Sequence, residues 1–524
     1  MKKHKPSTGI IFVIMGMVAG AALASKAANE PVSKWKAEWI AHRAVSGQAY
    51  SVQHFRRVVQ LETVPETWKV HVSADPRCRL FVNGEEVWSG PARSDLEHWP
   101  FATLDLVSHL RPGTNVIGAT VWNHGEYKPY SQISERTGFI LQGMGAAAVL
   151  NTGPEWRVLS DPSYTVAYTG FFRGLVTGRP VRFDARTHPW GWAGASFDAS
   201  DWTKPLLLGR GIARGVSDTL SPWWLVPQAV PALERTPQRF AAIRCTSGAA
   251  PSTGFLNGTA PWTVPAHSTS TILLDQKVLT TAYPIIETDG GRDAVIRMKW
   301  AEALFDDKKQ KGHRDEIEGR TIISPADVFV LDGNARSLGT MAFRTWRYLE
   351  LEIETAGEPL VLCDVRSIFT AYPFEEKAVF RSSDPSLEDI WRVGWHTLRL
   401  CSGDTYYDCP YYEQLQYVGD TRVQALISLY VSGDDRLMKQ AITAFENSRQ
   451  PEGLTTSRYP SAARQIIPTY SLFWIAMIHD HWMYQRDPEF VRGMLGGMEG
   501  VLNWFDDRIG SDGLPGPLPW WNFG

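Results

Sequence analysis

The sequence lacks a basic excess. Its 53 Lys and Arg face 56 Asp and Glu, for a net charge of -3, so nucleic acid is excluded as the main partner because little surface could neutralise phosphates. Cysteine is scarce: five residues (Cys78, Cys245, Cys363, Cys401 and Cys409), odd in number and scattered, without a C-x-x-C pair. A thiol redox pair, a zinc ribbon and a disulfide-stapled scaffold are therefore not supported. G-x-S-x-G, H-E-x-x-H and the phosphate-binding P-loop are also missing, which removes the usual signatures of serine hydrolases, zinc proteases and nucleotide hydrolases. His479 and His481 lie two apart in a helical stretch and so point in different directions, a poor metal pair. No loop has the acidic spacing of a known calcium site, and neither metal nor cofactor is expected. Beyond the N-terminal leader no apolar run is long enough to span a bilayer.

What is present is length and aromatic bulk. A chain of 524 residues exceeds one hydrophobic core, so two to four domains are expected. It carries 22 Trp, 17 Tyr and 22 Phe, many for cores, though such a surplus also suits flat ligands such as sugars. The N-terminus has the form of an export signal, predicted over residues 1–24. Lys2, Lys3 and Lys5 precede an apolar run from Ile10 to Leu23, and Ala22-Leu23-Ala24 offers a small-x-small cleavage site. No Cys follows that run, which argues against lipid attachment there. A periplasmic or secreted protein is expected, with no stable membrane insertion after cleavage.

Residues 33–230 read as an N-terminal β-sandwich region. Alternation over Trp68–Val72, the tight-turn pair Asn83-Gly84 and the turn Arg111-Pro112-Gly113 before Val116–Trp122 suggest short strands in a jelly-roll-like sandwich. Residues 231–376 continue as a central β-domain, in which Leu349, Leu351 and Ile353 alternate with Glu350 and Glu352, one face buried and one wet. The charge-rich Asp306–Arg320 stretch reads as a solvated loop. At Asp384-Pro385 the period changes to helical. Asp caps and Pro takes the first position, with Leu387, Ile390, Trp391, Gly394 and Leu398 on one face. Asp434–Asn447, Thr469–Tyr484 and a segment after Asp487-Pro488 are further helices, so residues 377–524 form a helical region built of antiparallel hairpins.

The most informative stretch is Asp408-Cys409-Pro410-Tyr411-Tyr412-Glu413-Gln414-Leu415-Gln416-Tyr417-Val418-Gly419-Asp420. It holds three carboxylates among aromatic rings, and no Lys or Arg occurs between Tyr406 and Thr421. Such acids can hydrogen-bond sugar hydroxyls, ring faces can stack on C–H faces, and one acid can be held protonated by apolar and acidic surroundings. An unbroken helix would put Glu413 and Asp420, two turns apart, on one face. Gly419 offers an alternative, a break that leaves Asp420 to cap a new helix. The blander roles stay open: Glu413 as a surface acid, Tyr417 as core.

The string DCPYYEQLQYVGD resembles the motif of bacterial α-L-rhamnosidases of glycoside hydrolase family 78. The likeness extends to LFVNGEEVWSGP in the sandwich, to AEALFD and GHRDEIEGR in the central region, and to FRTWRYLELEI and SSDPSLEDIW before the helices. It implies a multidomain β plus α fold, with sandwiches followed by the first part of an (α/α)6 barrel, and inverting cleavage of terminal α-L-rhamnose from glycosides or plant polysaccharides. It implies Glu413 as the general acid and Asp408 and Asp420 as holders of rhamnose hydroxyls. Tyr417 lines the pocket where many relatives carry Trp, and Trp520 and Trp521 resemble a pocket-lining stretch. In the family the general base lies further along the barrel, so a chain cut short and impaired in turnover is the expectation. Two rival functions are a non-catalytic carbohydrate-binding protein and another inverting glycosidase on the same barrel.

Overall fold

The computed structural model describes residues 34–170, 175–216 and 220–520. The expected leader at 1–24 and Trp521 lie outside them. Among the described residues no helix is long and apolar enough to cross a membrane.

The N-terminal region is two sheets packed face to face. One has seven strands and the other five. Their inner faces share one core, to which Val70, Val72, Phe139 and Leu141 come from the first sheet and Phe55, Leu80, Ile117 and Val121 from the second, the arrangement of a β-sandwich. Asn83 and Gly84 form the expected tight turn between strands Arg77–Val82 and Glu85–Gly90. Both have positive φ, 54° and 91°, which matches the twist of a two-residue hairpin.

The second region is an 11-stranded sheet organised around the 22-residue strand Thr269–Gly290. This strand pairs with Arg344–Glu354 and Leu360–Phe369. The predicted alternation holds: Leu349, Leu351 and Ile353 are buried, and Glu350 and Glu352 reach Lys299 and Arg297 on the neighbouring strand. A clean division at residue 230 does not describe the strands. Tyr164–Val166 pairs with Val181–Asp184, and the latter runs parallel to Asp327–Val330 of the large sheet. The cause is local burial, since Phe183 sits in the core of the large sheet.

Five helices follow among the described residues: α1 (Pro385–Leu400), α2 (Val418–Val431), α3 (Arg436–Asn447), α4 (Pro468–Gln485) and α5 (Pro488–Asp506). Both Asp-Pro starts behave as expected. Asp384 accepts from the Ser386 N–H and Asp487 from the Phe490 N–H, with proline opening each helix. The face predicted for α1 differs. Leu387 and Ile390 are exposed, and burial falls on Trp395, Leu398 and Leu400. Only the last turns of α1 join the helical core, where Trp395 packs beside Phe374.

Candidate active site

The acid-bearing stretch is a turn followed by a helix start. Residues 410–413 are a turn, so Glu413 is not helical and the unbroken-helix expectation fails. Gln414 reverses the chain at φ 56°. Its N–H bonds the Cys409 carbonyl at 3.0 Å, and its side-chain amide donates to the Pro410 carbonyl at 3.0 Å. Helix α2 then starts at Val418 with Tyr417 at its cap position and Asp420 in the first turn. Gly419 is inside the helix rather than a break, and a side chain there would press on the Tyr470 ring.

This geometry gathers the three carboxylates electrostatically. Asp408 is pushed up to about 6, mainly by burial and further by the Glu413 charge. Hydrogen bonds from the Leu415 N–H, at 3.0 Å, and from the Cys409 thiol, at 3.4 Å, oppose the shift. Asp420 is raised too, by burial first and then by Glu413, against a hydrogen bond from its own N–H. Glu413 is half-buried and forms no ion pair among the described residues. The cation beside Asp420 is directed away, because Arg422 pairs with Asp480 at 2.7 Å.

Tyr417 borders the same cluster, since Glu413 and Asp408 both bear on its hydroxyl. Burial lifts that hydroxyl to about 12 despite the nearby Arg458. Arg458 donates to the Tyr417 oxygen at 2.6 Å and lies 5.4 Å over its ring. Tyr470 meets Tyr417 edge-on at 6.5 Å and senses the Asp420 charge. Sequence reasoning missed Arg458, Tyr470 and Cys401. Cys401 closes α1 and lies near Cys409, Asp408 and Asp420. No motif marks these three; the Tyr417↔Arg458 bridge and the packing of α4 on α2 bring the first two in.

The β regions hold the acid turn from outside. Thr345 donates to the Pro410 carbonyl at 2.7 Å, the Tyr411 hydroxyl to the Trp300 carbonyl at 3.1 Å, and the Val176 N–H to the Tyr412 carbonyl at 2.9 Å. Lys311, from the charge-rich loop, bonds the Tyr412 hydroxyl at 2.6 Å and Glu302 at 2.7 Å. That loop is thus exposed yet anchored beside Glu413. Trp520 is more than half exposed and stacked on Trp504 at 6.4 Å. A cavity of about 540 Å³ opens where the sandwich meets α3, lined by Arg93, Gln416, Gln440 and Tyr459 but by none of the three carboxylates.

One cluster of metal-ligand type exists among the described residues, in the sandwich: His54, Asp161 and His188. Its atoms already satisfy one another. Asp161 Oδ2 lies 2.9 Å from His54 Nε2 and 2.7 Å from His188 Nδ1, and its other oxygen takes the Ser163 N–H and hydroxyl. His54 Nδ1 meets the Thr120 hydroxyl at 2.9 Å. It is a buried hydrogen-bond relay. His481 is buried against Asp435, and His479 is exposed beside Asp480, so these two histidines serve different contacts.

Sandwich regions thus lead into a helical region that carries an acid cluster at the start of its second helix. Residues 375–521 match the bacterial alpha-L-rhamnosidase 6 hairpin glycosidase domain. The fold resembles the family 78 rhamnosidase of Bacillus sp. GL1 (TM-score 0.81, 18% identity), covering 95% of this chain and 71% of that one. The α-L-rhamnosidase of Dictyoglumus thermophilum gives a TM-score of 0.68 at 16% identity, over 90% of this chain and 51% of that one. The Streptomyces avermitilis α-L-rhamnosidase complexed with L-rhamnose gives 0.66 at 17% identity, over 88% and 42%. The chain thus spans about half or less of the length of the latter two. No curated protein sequence matches it.

Proposed function

We propose that the chain recognises terminal α-L-rhamnose on glycosides or plant polysaccharides, with Glu413 as proton donor to the glycosidic oxygen and Asp408 and Asp420 as hydroxyl acceptors. Tyr417 walls the pocket, and Trp520 and Trp521 are candidate lining residues. The observation that carries this reading is the cluster itself: Glu413 is half-buried with no ion pair among the described residues, and its charge acts on both aspartates. Carboxylates gathered around a sugar ring stabilise positive charge that develops on it. The cleavage class is inverting, in which a second carboxylate activates water across the ring. We also read the leader as an export signal, on its Lys start and apolar run; N-terminal sequencing of the exported protein should begin after residue 24 or shortly beyond.

The test is an active-site series with L-rhamnose binding and aryl α-L-rhamnoside cleavage as readouts. Glu413→Gln should keep binding within a few-fold and lower cleavage by about 100-fold or more. Asp408→Ala and Asp420→Ala should each weaken binding by about 10-fold or more, as lost charge-assisted hydrogen bonds do. Measurable wild-type cleavage that is unchanged in Glu413→Gln would reject Glu413 as the donor, and glucose binding as tight as that of L-rhamnose would reject rhamnose as the sugar.

A further inference from the structure

The peptide unit joining Gln414 to Leu415 is gripped at both ends. Its N–H donates to Asp408 Oδ1 at 3.0 Å, and its carbonyl accepts from Arg93 Nη1 at 2.8 Å. Arg93 comes from the N-terminal sandwich, in the loop between strand Glu85–Gly90 and the short helix at Leu96. Its guanidinium is fixed on every side. Nε and Nη2 reach Asp404 Oδ1 at 3.0 and 2.9 Å, Nη2 reaches the Thr405 hydroxyl at 2.6 Å, and the plane lies 4.8 Å over the Tyr407 ring. Asp404 in turn takes Arg77 at 2.5 Å. A cation on a carbonyl oxygen draws electron density through the amide and makes the N–H at the other end a stronger donor. In a half-buried turn little water competes for either end.

We propose that Arg93 is a positioning residue for the acid site, acting through the Gln414–Leu415 peptide to hold Asp408 in place and favour its anionic form. The sandwich is then part of the site's scaffold and not an appendage. This rests on the reading of Asp408 as a sugar-hydroxyl acceptor. Among the other groups facing Asp408, the Cys409 N–H and thiol also support the anion, and Glu413 on the same turn pushes the opposite way. The remaining neighbours are the Cys401 thiol at the end of α1, Asp420 of α2 across Cys401, and Tyr417 with Arg458 behind its hydroxyl. The Leu415 N–H is thus a main support of the anion, and Arg93 is the charge that reinforces it.

The test follows the Asp408 carboxyl infrared band with pH, identified by its loss in Asp408→Asn, in wild type, Arg93→Ala and Arg93→Lys. Lysine keeps a cation beside Asp404 but cannot span Asp404 and the Gln414 carbonyl together, so it serves where alanine fails to fold. The expected result is a titration midpoint about 0.5–1 pH unit above wild type in both variants, with the acid limb of L-rhamnose binding moving by the same amount. An unchanged midpoint, including one accompanied by lower stability, would overturn the proposal and leave Arg93 a structural residue. Wild type that binds no L-rhamnose would instead overturn the proposed function, while the infrared midpoint still decides the role of Arg93.

Discussion

Asp404 and Asp408 are four residues apart on one loop and are treated in opposite ways. Asp404 faces the sandwich, between Arg77 and Arg93, and is held well below the usual carboxylate range by those charges despite full burial. Asp408 faces the helical region, receives the Leu415 and Cys409 N–H groups and a thiol but no paired cation among the described residues, and is pushed up to about 6 by burial. One side of the loop joins domains; the other is left short of positive charge. A carboxylate neutralised by two guanidiniums is already fully occupied, whereas one held by weak donors keeps oxygen lone pairs free for hydroxyls.

Removing Asp404 should have the largest effect. Asp404→Ala leaves two largely buried guanidiniums facing each other, and a loss of about 3–5 kcal/mol is expected, read as a lower urea midpoint. The pH window differs for the two acids. The folded value of Asp404 is depressed, so its contribution is present above the ordinary value of 3.8 and fades only as pH falls through the depressed one. Asp408 has the opposite sign. Its folded value is raised, so the ionised form opposes folding, and stability falls as pH rises from about 4 through 6.

Asp408→Asn should therefore stabilise the protein at pH 8. The shift of about 2 pH units would give roughly 3 kcal/mol in full, and partial solvent access reduces this to about 1–2 kcal/mol. The gain should vanish near pH 4, as thermal unfolding across pH would record. A gain that persists at pH 4 would mean that packing, not charge, separates the two variants. Tyr417→Phe should have the smallest effect. It keeps the ring and removes the acceptor of the Arg458 hydrogen bond, for a loss of about 1 kcal/mol in thermal stability.

Much of this contrast was open to sequence reading, but only on one side. The scarcity of cations around Asp408, Glu413 and Asp420 is a property of one contiguous string, as are the Asn83-Gly84 hairpin and the Asp-Pro helix starts. The hold on Asp404 is not: Arg77 and Arg93 lie more than 300 residues earlier, and no local period connects them. The helical placement of Glu413 failed because Gln414 reverses the chain, held by the Cys409 and Pro410 carbonyls. The exposed face of α1 departed from its pattern because an apolar stripe states a preference for burial and cannot say what arrives to cover it. The strand Val181–Asp184 joined the large sheet because Phe183 found a core there, a tertiary choice invisible in a short run.

The most direct test of the account is L-rhamnose titrated calorimetrically into the 524-residue chain at pH 7.5 and pH 5, with mannose as control. The account predicts preferential rhamnose binding at pH 7.5 that weakens about 10-fold as Asp408 takes up its proton near 6. Rhamnose affinity that does not change between the two pH values, or that is no better than mannose, would contradict it.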